Sequence, residues 1–506
     1  MTPIADRFRL WLRDEASARD AFLRGEPVDV GLTAYGQQDF VVEFLMGSGL
    51  WDVMSSVRPD GLRKENGKPW RALNGVEVLR EVLRVENVAQ VGRILRDVRL
   101  MHLAGFNAEA VRRSVARGAP VIDPETLSNH LARISPRSME QSFVEHVRLL
   151  RKKGWLRPGT YAVDGHVISI PHGRLSEKAG VVGSTRGYLF LAIVGPVPEH
   201  ARVVGWMLVP LGRSEKKVLR VLLRRMEKAL GPLSRWMKVL LLDRGYWGAA
   251  YLRDLARRHR FSYVTMARDG DLKAVADADE GLLDPTTTWH ERTEEHDHFG
   301  RVHVRAAGVE GIAVGMDRRG RRTTPMNFVA AEEWDATGQS LREQDGTPRG
   351  RTHYATNLPT AKDPLRVRTL YQQRWTVENQ GFRTLTQQFG LDLRAGRRFA
   401  AICARIGFVI MLHNAMSVLR AEYPGPWDQE KDRLGDAGVG PMLGGPKVAG
   451  LTAGGAMGLW TTEQFAELVE QRQIRKLQEA AKAALSEGRD AKQVLSDLLR
   501  LPPGKN

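Results

Sequence analysis

The chain has 506 residues, enough for two or three domains and a large core. Its 76 Lys and Arg against 59 Asp and Glu give a net charge of +17, with a pI near 10.1. That balance points to a polyanionic partner, most simply nucleic acid, or else to a basic surface with no such role. A single cysteine, Cys403, excludes an intramolecular disulfide and a cysteine-based zinc site. The N-terminal residues mix charges of both signs without an apolar core, so no secretory signal is expected. No run of about 18 apolar residues occurs. Residues 402–418 come nearest, but Arg405, His413 and Asn414 interrupt them. No membrane span is expected, and the cytoplasm is the expected location.

Residues 1–150 read as mostly helical. Apolar residues recur at helical spacing over 45–53, 76–85 and 88–103, with Asn74 placed to cap the second stretch. The loop at 58–70 is basic, with Arg58, Arg63, Lys64 and Lys68. In VIDPETLSNHLARISPRSM, Asp123 caps a helix, Pro124 takes its first position, and Leu127, Leu131 and Ile134 form one apolar face. Ser128, Asn129 and Arg133 lie off that face. They suit a recognition helix that reaches bases or phosphates, or an ordinary amphipathic helix.

From residue 159 the pattern changes to alternating strand and helix. GTYAVDGHVISIP reads as a buried strand with a carboxylate, Asp164, in its middle. A buried carboxylate costs free energy unless it is paired or holds a metal. A polar loop is expected over 172–187, then strands over 188–194 and 202–211, completing an antiparallel meander. Ser214 is placed to cap a helix with Leu219, Leu222, Leu223, Met226 and Leu230 on one stripe, ended by Gly231-Pro232. The run MKVLLL, 237–242, reads as a strand buried on both faces. A helix over 248–259 and a strand over 261–266 follow. The order β-β-β-α-β-α-β suits a mixed sheet flanked by helices, an α/β fold.

Residues 270–351 read as a β-rich insertion containing Trp289 and Trp334. Its His290, His296, His298 and His303 suit solvated strand positions or a metal site. A strand over 352–358 precedes a helical stretch that Asp363-Pro364 begins, with a break near Trp375. Another helix is expected over 399–422. Residues 422–458 are Gly/Pro-rich and read as irregular. Thr461-x-x-Gln464 has the form of a capping box for a last helix to about Ser486.

Asp243 ends the MKVLLL strand, at the carboxyl rim where open α/β sheets form sites. If the first and fourth strands are neighbours, Asp164 and Asp243 lie within reach of one divalent cation. Further along, Tyr371, Arg374 and Glu378 fall at i, i+3 and i+7, on one side of a helix. Three carboxylates around two hard cations suit in-line phosphodiester chemistry. Each acid alone is equally suited to a surface ion pair.

These motifs, VDGH, LLDRGYW, HYATNLP and YQQRWTVENQGFRTL, resemble the DDE transposases of bacterial insertion sequences. The similar branch has a Tyr-x2-Arg-x3-Glu signature and a β-rich insertion between its second and third acids. The resemblance covers about residues 155–420. It implies an RNase H-like catalytic domain over 155–269 and 352–420, with the insertion at 270–351. A helical DNA-binding region over 1–150 and a linker with a C-terminal helical region over 421–506 complete the expected organisation.

Position by position, the resemblance implies metal ligation by Asp164, Asp243 and Glu378, and phosphate contact by Tyr371 and Arg374. Two Mg²⁺ ions are implied, with Mn²⁺ able to substitute. The implied partners are duplex DNA, as element ends and target, and a second copy of the chain in the synaptic complex. The family's signature continues to a Lys seven or eight residues after the Glu, where this chain has Leu385 and Thr386. Arg383 and Arg394 are the candidates to take that contact. A Trp of the family's insertion can stack on an unstacked base, so Trp289 and Trp334 are candidates for that role or for packing inside the insertion. The implied function is cut-and-paste transposition. The alternatives are a catalytically degenerate DNA-binding protein, or an RNase H-like nuclease that does not join strands.

Overall fold

A computed structural model of the chain describes residues 15–26, 28–33, 39–61, 69–83, 85, 88–92, 98–119, 121–171, 174, 176–199, 201–267, 272–296, 300–316, 322–341, 350–392, 396–422, 447–452 and 456–488. Arg63, Lys64 and Lys68 of the basic loop, His298 and Arg394 lie outside them, as does the side chain of His296. The chain divides into two compact units. One comprises Met1–Ser142, Ala400–Phe408 and Leu419–Asn506, the other Phe143–Phe399 and Val409–Val418.

The first unit begins with the helix Glu15–Leu23 and the strand β1, Val28–Thr33. The predicted helix over 45–53 is two helices, Asp39–Ser48 and Leu50–Ser55, because Gly49 turns the chain with φ 81°. The helix Trp70–Val82 starts after Pro69, which has no N–H to leave unpaired. Every residue from Ala72 to Val82 is buried. A Cβ at Gly75 would come within 2.7 Å of the Ala104 carbonyl oxygen, so only glycine permits that approach.

Asn74 is not the N-cap that spacing suggested. It sits inside this helix, fully buried, and its Nδ2 donates to the Ser55 and Val57 carbonyls at 2.8 and 2.7 Å. Its Oδ1 is 2.8 Å from His130 Nε2. A buried amide needs such partners, and these come from segments distant in sequence. The helix also carries Glu77, Arg80 and Glu81. Arg80 bonds Glu77 at 2.6 Å and also pairs with Glu81. Arg405 reaches Glu81 at 3.1 Å.

The helix Pro124–Arg133 forms as expected. Asp123 Oδ1 accepts from the Glu125 N–H at 2.7 Å, and Leu127 and Leu131 are buried. Asn129 and Arg133 are exposed and Ser128 is half-buried.

The second unit is built on one ten-stranded sheet. Its strands are β2 (Gly159–Ser169), β3 (Gly180–Val182), β4 (Thr185–Val197), β5 (Val203–Pro210), β6 (Met237–Leu242), β7 (Ser262–Met266), β8 (His290–His296), β9 (Gly300–Met316), β10 (Arg322–Asp335) and β11 (Thr352–Thr356). The spatial order is β3-β4-β2-β6-β7-β11-β10-β9-β8, with β5 also paired to β4. The pairs β2·β6 and β6·β7 are parallel and the rest antiparallel, so the sheet is mixed. The fold is the α/β mixed sheet that the strand order predicted, in the RNase H-like architecture that the resemblance implied.

Two features differ from the sequence reading. β3 lies within the stretch expected to be a polar loop. The insertion opens with a helix, Leu272–Leu282, and its strands β8 to β10 extend the same sheet through β11. The helix Glu215–Leu230 buries Val218, Leu219, Leu222, Leu223 and Met226. It lies so close to β5 that a Cβ at Gly205 would meet the Met226 sulfur at 2.3 Å. Ser214 stands at its N-cap position without the side-chain bond expected of it.

The helix Phe399–Glu422 is long and apolar enough to cross a membrane. However, 94% of its most apolar 18-residue window is buried inside the protein, as in a core helix. Beyond it, Lys447–Thr452 (β12) and Met457–Trp460 (β13) are strands, where an irregular segment was expected. They form a three-stranded antiparallel sheet with β1. The last helix, Thr462–Ser486, has the capping box its sequence announced. The Gln464 N–H donates to Thr461 Oγ1 at 3.2 Å, and the Thr461 N–H to Gln464 Oε1 at 2.9 Å.

Two buried histidines should make stability pH-dependent. His146 is fully buried, and neither ring nitrogen has a hydrogen-bond partner among the described residues; burial pushes its pKa down to about 3. Burial holds His130 at about 4, with Glu77 opposing and Arg133 reinforcing the shift. In the unfolded chain both protonate near 6.5. Below that pH the unfolded state binds protons that the folded state refuses, so stability present above pH 6.5 is lost toward the folded pKa values. At pH 5 each costs about 2 kcal/mol relative to pH 8. Urea midpoints at the two pH values should show the loss. His146→Phe should remove its share and raise stability by about 1–3 kcal/mol, since an unpaired buried polar ring disappears. An unchanged midpoint at both pH values would contradict this account.

Candidate active site

The site lies at the carboxyl ends of β2 and β6. These strands run parallel and adjacent, and their last paired residues are Val163 and Leu242. The next residue on each is an acid, Asp164 and Asp243. Neighbouring strands are about 4.8 Å apart, so the two acids leave the pair side by side. β2 continues beyond this point, with Asp164 opposite Ala192 of β4. β6 stops, because Asp243 caps a short turn, Arg244–Tyr246, by accepting from the Gly245 N–H.

Glu378 arrives from the far side of the insertion. The helix Pro364–Gln372, capped by Asp363, ends just ahead of Trp375, and a π-helical turn, Val377–Phe382, follows. The straight α-helix assumed in the i, i+3, i+7 argument is therefore not the path of the chain. π-turns interrupt helices mainly where a side chain must be re-aimed, often at functional sites. Phe382 anchors this turn on the sheet. Its ring lies 5.7 Å from His166 of β2 and 5.9 Å from Phe190 of β4. His166 Nε2 in turn lies 2.8 Å from Asp392 Oδ1.

Arg374 joins the acids. Its Nη1 is 2.7 Å from Glu378 Oε1 and 3.5 Å from Asp164 Oδ2. Its guanidinium carbon lies 5.8 Å from the centre of the Tyr371 ring and 5.3 Å from that of Trp375. Its Nε is buried without a partner among the described residues, a donor that a phosphate oxygen would satisfy. Tyr371 is buried, and desolvation raises its hydroxyl pKa; the charge of Asp243 adds to that rise and Arg374 opposes it.

Burial raises the Asp164 pKa to about 6. The Gly165 N–H and Arg374 pull it down, while Glu378 and Asp243 push it up. Asp164 thus feels the charge of both other acids, with Arg374 beside it and Tyr371 beside Arg374.

Among known protein families, the one described as the Transposase DDE domain matches residues 155–415. That span is more than half of the chain. The chain belongs to the DDE transposase family. A comparison with curated proteins finds no match.

Members of this family act on DNA with divalent metal ions. In this DDE transposase the donor set fits a hard cation: three carboxylates whose mutual repulsion such an ion relieves, and no thiolate. Among the described residues no three His, Cys, Asp or Glu side chains stand ready as a metal cage. The guanidinium of Arg374 instead bridges Asp164 and Glu378.

The other sequence candidates lie as follows. Leu385, at the position of the family's Lys, is fully buried, so this stretch of the transposase serves the core. Thr386 turns its hydroxyl back to the Phe382 carbonyl at 2.8 Å. Arg383 is exposed, with its Nε donating to Gln387 Oε1 at 3.2 Å. Trp289 and Trp334 both lie against Arg305. The Arg305 guanidinium carbon lies 4.7 Å from one ring centre and 5.0 Å from the other. Glu332 holds Arg305 at 2.6 Å, and Trp289 also packs beside Leu282, Ala307 and Ala330. His303 bonds Thr293 at 2.9 Å, a side-chain pairing across β8 and β9.

Trp375 was not singled out from sequence, except as a point of helix interruption. It is the aromatic beside Arg374, and it is 54% exposed. The signal available in sequence was a large apolar residue inside a polar signature.

Proposed function

We propose that this DDE transposase binds the ends of an insertion element, cuts their 3′ strands and joins the freed 3′-hydroxyls to target DNA. The observation that carries the reading is the parallel register of β2 and β6, which delivers two acids side by side, with Arg374 tying the third to the first. Asp164, Asp243 and Glu378 hold two Mg²⁺ ions, or Mn²⁺ in their place. When bound, such ions activate water or a 3′-hydroxyl and stabilise the leaving oxygen. Arg374, with its partnerless Nε, and Tyr371 orient the scissile phosphate, and Arg383 contacts the backbone nearby. The exposed Asn129 and Arg133, with Ser128, belong to the helix that reads the element ends. Two ends in one complex call for a homodimer.

The test is an assay on the DNA flanking the gene, with Mg²⁺ or Mn²⁺. Strand cleavage and joining of pre-cut ends are expected. Specific binding without cleavage under either metal would favour a DNA-binding protein, the reading that the buried Leu385 supports. Cleavage without joining would favour a nuclease.

Trp375, exposed beside Arg374, stacks on a base displaced beside the scissile phosphate, while Trp289 and Trp334 lie against Arg305. Base–aromatic stacking contributes about 1–3 kcal/mol, so Trp375→Ala should slow strand cleavage about tenfold or more. It should also lower the fluorescence of 2-aminopurine placed at the cut site. If Trp289→Ala or Trp334→Ala has that effect and Trp375→Ala does not, the stacking role moves to the insertion.

A further inference from the structure

The amino end of the same sheet carries a second charged feature. A cleft of about 510 Å³ opens between the helix Ala249–His259 and the starts of β6 and β7. Lys238, Arg253, Arg257 and Arg260 line it, over a floor that includes Tyr263 and Asn357, and none of its lining residues is acidic. We propose that this cleft binds the phosphodiester backbone of duplex DNA, away from the acids and without reading sequence. The proposal rests on the reading that the chain acts on DNA, but not on its cutting DNA.

No acid neutralises the charges at the cleft, although Lys238 Nζ donates to the Ser234 carbonyl at 2.9 Å. Lys238 and the three arginines are exposed, and none has a carboxylate partner among the described residues. Two acids on this helix and the one before it are already engaged. Asp254 pairs with Arg220 at 3.1 Å, and Glu227 lies 3.1 Å from His259. Arg253 and Arg257 are one helical turn apart, about 6 Å along the axis, so they project on one side.

Basic side chains in a helix's last turn also offset its macrodipole. That role does not account for Lys238, which belongs to a strand across the cleft. Nor does it account for Arg260, which lies past the helix end with φ 55° and ψ 42°. Left-handed backbone at this position favours glycine or asparagine. The chain keeps an arginine there despite the strain, and its side chain lines the cleft.

The backbone of a nucleic acid suits the cleft better than a nucleobase does. Phe261 and Tyr263 are only 4% and 2% exposed, so neither offers an open aromatic face for stacking. Charge contacts remain. Lys238 precedes Asp243 by five residues along β6, about 17 Å of extended chain. At 3.4 Å per base pair that is about five base pairs, outside the reach of the acids.

The test compares duplex binding by the full chain, read by fluorescence anisotropy over a salt series. Parent, Arg253→Ala/Arg257→Ala, and Arg224→Ala/Lys228→Ala, which removes equal charge from another helix, are measured in parallel. The cleft variant should lose about tenfold in affinity at 0.1 M salt. Its slope of log K against log salt should fall by about 0.9 for each lost phosphate contact. The control should change little. Arg260→Gly relieves the strained backbone, so it should melt no lower than the parent and still bind DNA more weakly. That separates lost binding from lost folding.

Equal losses in the cleft and control variants would overturn the proposal, as would unchanged duplex binding. Loss of affinity for inorganic phosphate or for RNA alone would also overturn it. Because binding is read without cleavage, a chain that binds DNA through this cleft but cuts nothing would refute the proposed reaction and leave the cleft standing.

Discussion

Asp164→Asn, Asp243→Asn and Glu378→Gln are each expected to lower metal-dependent strand cleavage by about a thousandfold or more while leaving duplex binding within about threefold. Losing a ligand to a catalytic cation removes several kcal/mol of transition-state stabilisation, and each 1.36 kcal/mol is tenfold in rate. The same substitution at Asp164 should stabilise the fold. Its pKa rises from the ordinary 3.8 to about 6, chiefly through burial. Between those values the folded state binds a proton that the unfolded chain releases, so stability falls as pH rises from about 4 to 6, and the full cost is present at pH 7. With a side chain 20% exposed, Asp164→Asn should recover about 2 kcal/mol at neutral pH. Higher melting with lost cleavage marks an acid kept for chemistry. Lower melting with normal cleavage would mark a structural ion pair and overturn the assignment.

Arg80→Ala is expected to destabilise the first unit by about 3–5 kcal/mol. Arg80, Glu77 and Glu81 are 1%, 0% and 7% exposed, and Arg405 is 2% exposed. Arg80 lies between two carboxylates, and burial raises the Glu81 pKa against the pull of Arg80 and Arg405. Removing one partner of a buried ion network strands the others in a medium that cannot solvate them. Glu81→Gln should cost less, because it leaves a neutral hydrogen-bonding side chain against Arg405. Urea unfolding followed at the Trp51 and Trp70 side of the chain would report both. A loss below about 1 kcal/mol for Arg80→Ala would mean that water reaches these charges.

Local rules made much of the protein legible. Alternation and β-branching marked β2, a doubly apolar run marked β6, and both helix caps at Asp123 and Thr461 could be read from three or four adjacent residues. The candidate acids were picked on the same local grounds: Asp164 and Asp243 stand at recognisable places on recognisable strands, and Glu378 follows Tyr371 and Arg374 at short range.

What failed depended on partners distant in the chain. β12 is a Gly-containing strand that exists because residues 447–452 pair with 28–33, and no local pattern encodes a partner four hundred residues away. Asn74 looks like a cap until the surrounding elements bury it. The π-turn that aims Glu378 is likewise a consequence of docking on β2 and β4, not of propensity.

The amino-acid sequence by itself determined most of the elements and the mixed sheet, because periodicity and capping act over a few residues. Only the tertiary structure decided that Val163 and Leu242 end a parallel pair together and that Arg374 bridges two of the acids. It alone brought Lys238 beside Arg253, Arg257 and Arg260. Strand register and the meeting of charges are set by packing between segments far apart in the chain, where burial outweighs local preference.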